Sequence, residues 1–370
     1  MKILFLLDWH LNYAIELANA LTSEHEILFV TRDHNYEISS PERSTTLDDF
    51  LEKTLSKGIR KEKLRYRRRD LRNLSEIRRI CSIAEEFNPD IVHIQETSDW
   101  RFFLIVKKLG FQKTILTVHD VNLHPGHKKQ ALNMVSRYLR NKSSKIIVHG
   151  IKLKQFLKKA GVVLEENIHV IPHGAYSIYK NWDDGSVREE GHVVLFFGYI
   201  RKYKGIEVLV EAQPYINQEI PDARILIVGK GDGLEKYGDF IIGNPHFEVH
   251  NEFVPTEDVH KYFRKASVVV LPYIEASQSG VIPLAYAFGK PVVATDVGSI
   301  AEVVENGKTG FVVPPNDPGR LAEAVVTILK DPELRSRMGR NAAEKAATDL
   351  SWKTIAAETV RVYASMIRHE

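Results

Sequence analysis

A chain of 370 residues with 44% hydrophobic and 27% charged residues is too long for one ordinary core and too apolar for disorder, so about two domains are expected. A net charge of +3 is too small to imply a nucleic-acid partner. The single cysteine, Cys81, allows neither an intrachain disulfide nor a cysteine-based zinc site, and it fits a reducing, cytoplasmic compartment.

In chain order, KILFLL (2–7) reads as a buried strand, and the opening stretch lacks the cleavage site of a signal peptide. No run of about 18 uncharged apolar residues predicts a transmembrane helix. NYAIELANALT (12–22) has helical spacing, HEILFVT (25–31) is a strand, and SEIRRICSIAEEF (75–87) is a helix closed by Asn88-Pro89. DIVHIQ (90–95), TILTVHD (114–120) and KIIVHG (145–150) are strands separated by helices. KLKQFLKKA (152–160) is a helix, and NIHVIPHG (167–174) is a strand and turn. The polar, aperiodic stretch 176–191 reads as a linker.

The pattern then restarts. Strands are expected at 192–198, 223–229, 246–254, 267–273, 290–295 and 310–315. Helices are expected at 205–216, 256–266 with Thr256 as N-cap, 280–288, 317–331 and 333–369. This is an α/β chain of two Rossmann-like, doubly wound parallel-sheet domains facing a cleft. The boundaries are 1–178 and 190–350, with a helix at 351–370 crossing back to the first domain.

Charge is uneven. From Lys57 to Arg79 the cations are Lys57, Arg60, Lys61, Lys63, Arg65, Arg67, Arg68, Arg69, Arg72, Arg78 and Arg79, against Glu62, Asp70 and Glu76. Such a stretch suits an anionic membrane surface or a phosphorylated acceptor, or it is a solvated face.

Ligands of such sheets bind beyond the carboxyl ends of strands, so the strand-to-helix loops carry the candidates. After the strand 192–198, Arg201, Lys202 and Lys204 crowd a loop ending at Gly205, where a helix opens; this suits a diphosphate. In EASQSG (275–280), Ser279, Gly280 and Val281 are candidates to present backbone N–H groups to phosphate, and Glu275 to receive sugar or ribose hydroxyls. In TVHDVNLHPGH (117–127), His119 and Asp120 end a strand, with His124 and His127 beyond. A zinc reading of these histidines fails on spacing. His149 and His173 read as structural strand-end residues. In GKGDGL (229–234), Gly229, Gly231 and Gly233 alternate, which fails the strict dinucleotide fingerprint, although Gly229, Lys230 and Gly231 still form a turn suited to a nucleotide base.

The segments IPHG (171–174), FFGYIRKYKG (196–205), ILIVGKGDG (225–233), VVLPY (269–273) and SGVIPLAYAFGKPVVATDVGSIAEVVENGKTGFVVPPND (279–317) together resemble the retaining glycosyltransferases of family 4, with GT-B architecture. TVHD (117–120) matches less specifically. The resemblance implies a metal-independent enzyme without a cofactor. Its donor would be a UDP- or GDP-linked sugar held by the second domain. Its acceptor would be a glycan, glycolipid or other hydroxyl compound, as in polysaccharide biosynthesis.

It also implies that Arg201 and Lys204 hold the diphosphate and stabilise the leaving group, that Ser279, Gly280 and Val281 add backbone donors, and that His119 binds a hydroxyl of the transferred sugar. The protein would be cytoplasmic and peripheral at the inner membrane face. Two departures stand out. Leu284 occupies the place of the second of two family glutamates, the one that contacts ribose. No glycine precedes Gly58, so DWHLNY replaces the glycine-rich loop after the first strand, and acceptor binding near Asp8, His10 and Asp120 should differ. A non-catalytic nucleotide-sugar-binding subunit and a sugar-nucleotide epimerase are the competing readings.

Overall fold

The computed structural model describes residues 1–33, 46–120, 130–161, 163–232 and 234–367. The chain divides into two compact units. The first holds the described residues up to Pro172 together with the last helix, Trp352–Ile367; the second runs from His173 to Ser351.

The first unit is built on seven parallel strands: β1 (Lys2–Leu6), β2 (Glu26–Arg32), β3 (Arg60–Leu64), β4 (Ile91–Gln95), β5 (Thr114–Val118), β6 (Lys145–Val148) and β7 (Ile168–Val170). Their order is β3-β2-β1-β4-β5-β6-β7. β1 lies inside the sheet because it is apolar on both faces; Ile3 through Leu6 are fully buried. β3 and the helix Leu47–Thr54 before it escape the sequence reading. β3 reads Arg-Lys-Glu-Lys-Leu, an edge strand whose charges face water and hide any apolar pattern. Its preceding helix starts with a capping box in which Thr46 Oγ1 accepts from the Asp49 N–H and the Asp49 carboxylate accepts from the Thr46 N–H.

The second unit has six parallel strands: β8 (Val193–Phe197), β9 (Arg224–Val228), β10 (Phe247–His250), β11 (Val268–Leu271), β12 (Val292–Thr295) and β13 (Gly310–Val313), ordered β10-β9-β8-β11-β12-β13. β8, β9, β11 and β12 are buried on both faces and read as continuous apolar runs, which is why the sequence locates them within a few residues, whereas the edge strands β10 and β13 are partly buried. Stretch 176–191 belongs to this unit and is clamped to it. Asp183 accepts from Arg264 Nε at 2.6 Å and Glu189 from Lys290 at 2.8 Å, while Glu190 pairs with Arg224 at 2.9 Å.

Two helices differ from expectation. The one near 256 runs Val259–Lys265 with Asp258, not Thr256, at its N-cap; Thr256 is buried instead. The tract after 332 forms two helices, Pro332–Ala347 and Trp352–Ile367. Between them Leu350 is buried, and its carbonyl accepts from the Ala175 N–H at 2.8 Å. Among the described residues no helix is long and apolar enough to cross a membrane.

Both sheets reverse their winding direction once, between β1 and β4 in the first and between β8 and β11 in the second. These are the points at which loops diverge and open sheets of this kind take ligands.

Candidate functional site

In the second unit the loop after β8 crosses the switch point. Gly198 follows the strand at φ 111°, and a Cβ added there would lie 3.1 Å from Lys204 Nζ. The same ammonium stands 5.2 Å from the Tyr273 ring centroid, just beyond β11. Lys204 is therefore held over the carboxyl ends of β8 and β11, on the face of an aromatic ring. Among the described residues it has no acidic partner. Arg201 is half exposed and only loosely opposed by the exposed Asp232, at 3.8 Å. The loop is fixed by its glycine and by its neighbour. Gly205 sits at φ 63° with the Pro272 carbonyl against it, and a Cβ there would come within 2.0 Å of that oxygen. The Tyr203 carbonyl accepts from the N–H groups of Ile274 (2.8 Å) and Glu275 (3.3 Å). Two loops that the sequence singled out separately are thus one structure, with Glu275 exposed beside the cations.

The helix after EASQSG is short, Val281–Ala287, with Gly280 as its N-cap. It offers less to an anion than the sequence suggests, because the Val281 N–H already donates to Ser279 Oγ at 3.2 Å. The space over Gly280 is also filled: a Cβ would lie 3.0 Å from a Tyr176 ring carbon and 3.6 Å from His173 Nε2. His173 thus packs against this loop, although the sequence reading placed it only at a strand end. Leu284 is buried in the core on this helix, so the ribose contact of the family glutamate has no counterpart there. The alternating glycines of 229–231 have a backbone role. A Cβ on Gly229 would lie 2.1 Å from the Gly198 carbonyl oxygen, and one on Gly231 2.0 Å from that of Ile200, whose own N–H donates to the Lys230 carbonyl at 3.0 Å. Gly233 lies outside the described residues.

In the first unit, Asp8 and His10 follow β1. Asp8 is fully buried, and neither carboxylate oxygen meets a hydrogen-bond partner among the described residues. Burial pushes its pKa up to about 7, with Arg32 holding it partly down. His10 has φ 59°, left-handed for a residue with a side chain, and its ring stacks on His119 at 3.6 Å and 12°. Burial, then the neighbouring His149, push His10 down to about 4. His119 is buried, and both its ring nitrogens are engaged: Nε2 stands 2.8 Å from the Gln95 amide oxygen Oε1 and Nδ1 3.2 Å from His149 Nε2. His119 thus stands between Gln95 and His149 at the end of β5. Asp120 is exposed, and its carbonyl accepts from Arg140 at 2.6 Å. His124 and His127 lie outside the described residues.

The basic stretch is only partly available to a partner. Lys63 pairs with Asp33 and Asp48, Arg72 with Asp70, and Arg79 with Glu62 and Glu76. Lys57, Arg60, Lys61, Arg65, Arg67, Arg69 and Arg78 are exposed, and beside them Leu71 and Leu74 project at 90% and 57% exposure. A group of Asp183, Asp184 and His260 has ligand atoms within 4.8 Å of one another, but Arg264 already neutralises Asp183.

Two parallel-sheet units, each with polar groups gathered at its switch point, define the GT-B architecture. Residues 12–175 match the Glycosyltransferase Family 4 model, and residues 191–331 match that of Glycosyl transferases group 1. The chain belongs to the family-4 glycosyltransferases. It is 30% identical over 247 residues to an uncharacterized glycosyltransferase of Methanocaldococcus jannaschii, a match covering 63% of this chain and 62% of that protein. It is 34% identical over 190 residues to the phosphatidyl-myo-inositol mannosyltransferase of Mycolicibacterium smegmatis, covering 50% of this chain and 47% of that protein. The chain thus spans less than two thirds of the length of these curated relatives. Among solved structures, Anabaena HepE in complex with UDP-glucose shares the fold, with a TM-score of 0.73 at 20% identity over 99% of this chain and 100% of that one.

Proposed function

We propose that the protein transfers a hexosyl group from a UDP- or GDP-linked sugar to a hydroxyl acceptor, with retention at the anomeric carbon and without a metal ion. The observation that carries this reading is Lys204. Its ammonium is held over the Tyr273 ring at the switch point of the second sheet, without an acidic partner among the described residues. A half-buried cation without an acidic partner among the described residues is, at such a place, matched to a diphosphate.

In the reaction, the bond from the anomeric carbon to the diphosphate oxygen breaks and the acceptor oxygen bonds to that carbon. The acceptor proton leaves with the diphosphate. Negative charge grows on the leaving phosphate, so Lys204, with Arg201 swinging from Asp232, stabilises the transition state more than the ground state. These two cations supply the charge that a divalent ion supplies elsewhere. The HepE complex with UDP-glucose supports a uridine-linked donor, and the mannosyltransferase relative supports a lipid-linked acceptor. For such an acceptor the exposed Arg67, Arg69 and Arg78, beside Leu71 and Leu74, would rest on an anionic bilayer, making the protein peripheral.

The test is turnover of UDP- and GDP-sugars by the wild type and by Arg201→Ala/Lys204→Ala. The double variant should lose about 10²–10³-fold in kcat, as with removal of other charge-stabilising donors. Undiminished turnover would overturn the reading, whereas donor binding with no turnover across an acceptor panel would favour a non-catalytic subunit, the reading that Leu284 supports.

A further inference from the structure

The second unit carries another concentration of positive charge, at the edge of its sheet opposite Lys204. Gly289-Lys290-Pro291 leads into β12 and Ser267 into β11, so both lie at the amino ends of these strands. The helix Pro332–Ala347 packs against them so closely that a Cβ on Gly339 would come within 2.5 Å of the Gly289 carbonyl oxygen. Between these walls lies a cavity of about 420 Å³. That is the size of a small-molecule site. Its charged lining is Lys290, Arg335 and Arg340 against Glu189 alone.

Glu189 reaches in from the stretch before β8. One carboxylate oxygen accepts from Lys290 Nζ at 2.8 Å; the other accepts from Ser267 Oγ at 3.1 Å and lies 3.2 Å from Arg335 Nε. Lys290 is 8% exposed, whereas the Glu189 side chain is 36% exposed, so the carboxylate enters from the open side. Arg340, also exposed, donates to the Ser336 hydroxyl at 2.7 Å and has no acidic partner among the described residues. Burial, and then Arg264 and Arg335, hold the Lys290 ammonium below its ordinary range although Glu189 pulls the other way. Arg264 is itself neutralised by Asp183. One carboxylate therefore leaves this cavity short of negative charge.

The stretch that bears Glu189 does not depend on it. Glu190 pairs with Arg224 at 2.9 Å and with Lys265 at 3.2 Å, and its N–H donates to the Lys265 carbonyl at 3.0 Å. Asp183 holds Arg264 at 2.6 Å. Glu189 can leave while these contacts keep the chain in place.

We propose that the cavity is a binding site for a phosphate group, in which Glu189 occupies the ligand's place: phosphate displaces the carboxylate from Lys290 and Arg335 and engages Arg340 as well. A phosphate ester brings about −1.5 to −2 charges and three acceptor oxygens where the carboxylate brings one charge and two oxygens. The guanidinium groups suit such an anion because they donate in a planar fork. The site lies apart from the loop of Arg201 and Lys204 and does not rest on the transferase reading.

The experiment is calorimetric titration of the intact protein with inorganic phosphate and with glycerol 3-phosphate, at constant ionic strength. It is run in the wild type and in Arg201→Ala/Lys204→Ala, where the other cation loop has lost its charges. Saturable binding should persist in the double variant. Equal affinities would support a site for free phosphate, and tighter glycerol 3-phosphate a site for a monoester. In either background Glu189→Gln, which removes the competing charge, should tighten binding about ten-fold, and Arg340→Ala should weaken it about ten-fold. An ion pair that serves only to fasten the chain gives another result: Glu189→Gln lowers Tm and gains no affinity, which would overturn the proposal. So would binding that disappears with Arg201 and Lys204, or binding indifferent to Arg340, a residue exposed enough to be replaced without disturbing the fold.

Discussion

The two switch points solve the same architectural problem with different materials. In the first unit the carboxyl edge is filled with buried polar side chains: Asp8, His93, Gln95, His119 and His149 all lie below 9% exposure. In the second unit the corresponding edge is made by backbone meeting backbone, through Gly198, Gly205, Gly229 and Gly231, with Lys204 laid over it. The polar edge depends on satisfied hydrogen bonds and on pH. The glycine edge depends on the absence of Cβ atoms and should be nearly indifferent to pH.

The sharpest way to break this contrast is at Gly229. Its φ of 138° and the Gly198 oxygen 2.1 Å from an added Cβ leave no room for even a methyl group, and the obstacle is backbone, which cannot rotate away. Gly229→Ala should destabilise the second unit by about 4 kcal/mol, with loss of donor binding, read by thermal denaturation and nucleotide titration. A variant as stable as the wild type would show that the close approach of the two loops is not required.

Acid should act on the other edge. His10 and His149 are pushed down to about 4 and His93 to about 3, in each case chiefly by burial. The unfolded chain, with ordinary histidines near 6.5, takes up protons before the folded one does. Their contribution is therefore whole above pH 6.5 and is lost as pH falls toward 4 and then 3. Hydrogen-exchange protection at the ends of β4, β5 and β6 should collapse in that window while β8 and β9 keep theirs. Equal loss in both units would remove the distinction.

A smaller effect, opposite in sign, is expected at Asp8. Its pKa is raised from 3.8 to about 7, so the folded state takes up the proton first. Its contribution is whole below pH 3.8 and is lost as pH rises through 7. Asp8→Asn should raise stability at pH 8 by about 2 kcal/mol and change little at pH 4, measured by denaturant unfolding at the two pH values. No gain at pH 8 would mean that the buried carboxylate is compensated in the fold. If Asp8 serves the acceptor, the stabilised variant should also lose activity, the usual cost of a polar group retained against stability.

Much of the fold was legible because parallel strands buried on both faces leave continuous apolar runs, as β1, β2, β8, β9, β11 and β12 do. The edge strand β3 is charged and leaves no such run. Of the site, the cation loop 201–205 was legible because its charges are contiguous and follow a strand. Tyr273 under Lys204 was not, because the two residues are brought together by sheet order. The histidine row was not legible for the same reason. His119 and His149 lie 30 residues apart and meet only because β5 and β6 are neighbours, so the sequence gives them separate readings, one as a sugar-binding candidate and one as a strand-end histidine. The glycines at 229 and 231 suggested a nucleotide turn, whereas their observed constraint is the facing carbonyls of Gly198 and Ile200.

Local pattern by itself determined the two successive α/β units, the loops that carry charge and the departure at Leu284, since hydrophobic runs and side-chain identity are properties of the chain in one dimension. Tertiary structure alone decided that His119 meets Gln95 and His149, what lies beneath Lys204 and which arginines of the basic stretch are already paired. Those are outcomes of distance, and distance between residues tens of positions apart is set by strand order and packing, not by neighbours in the chain.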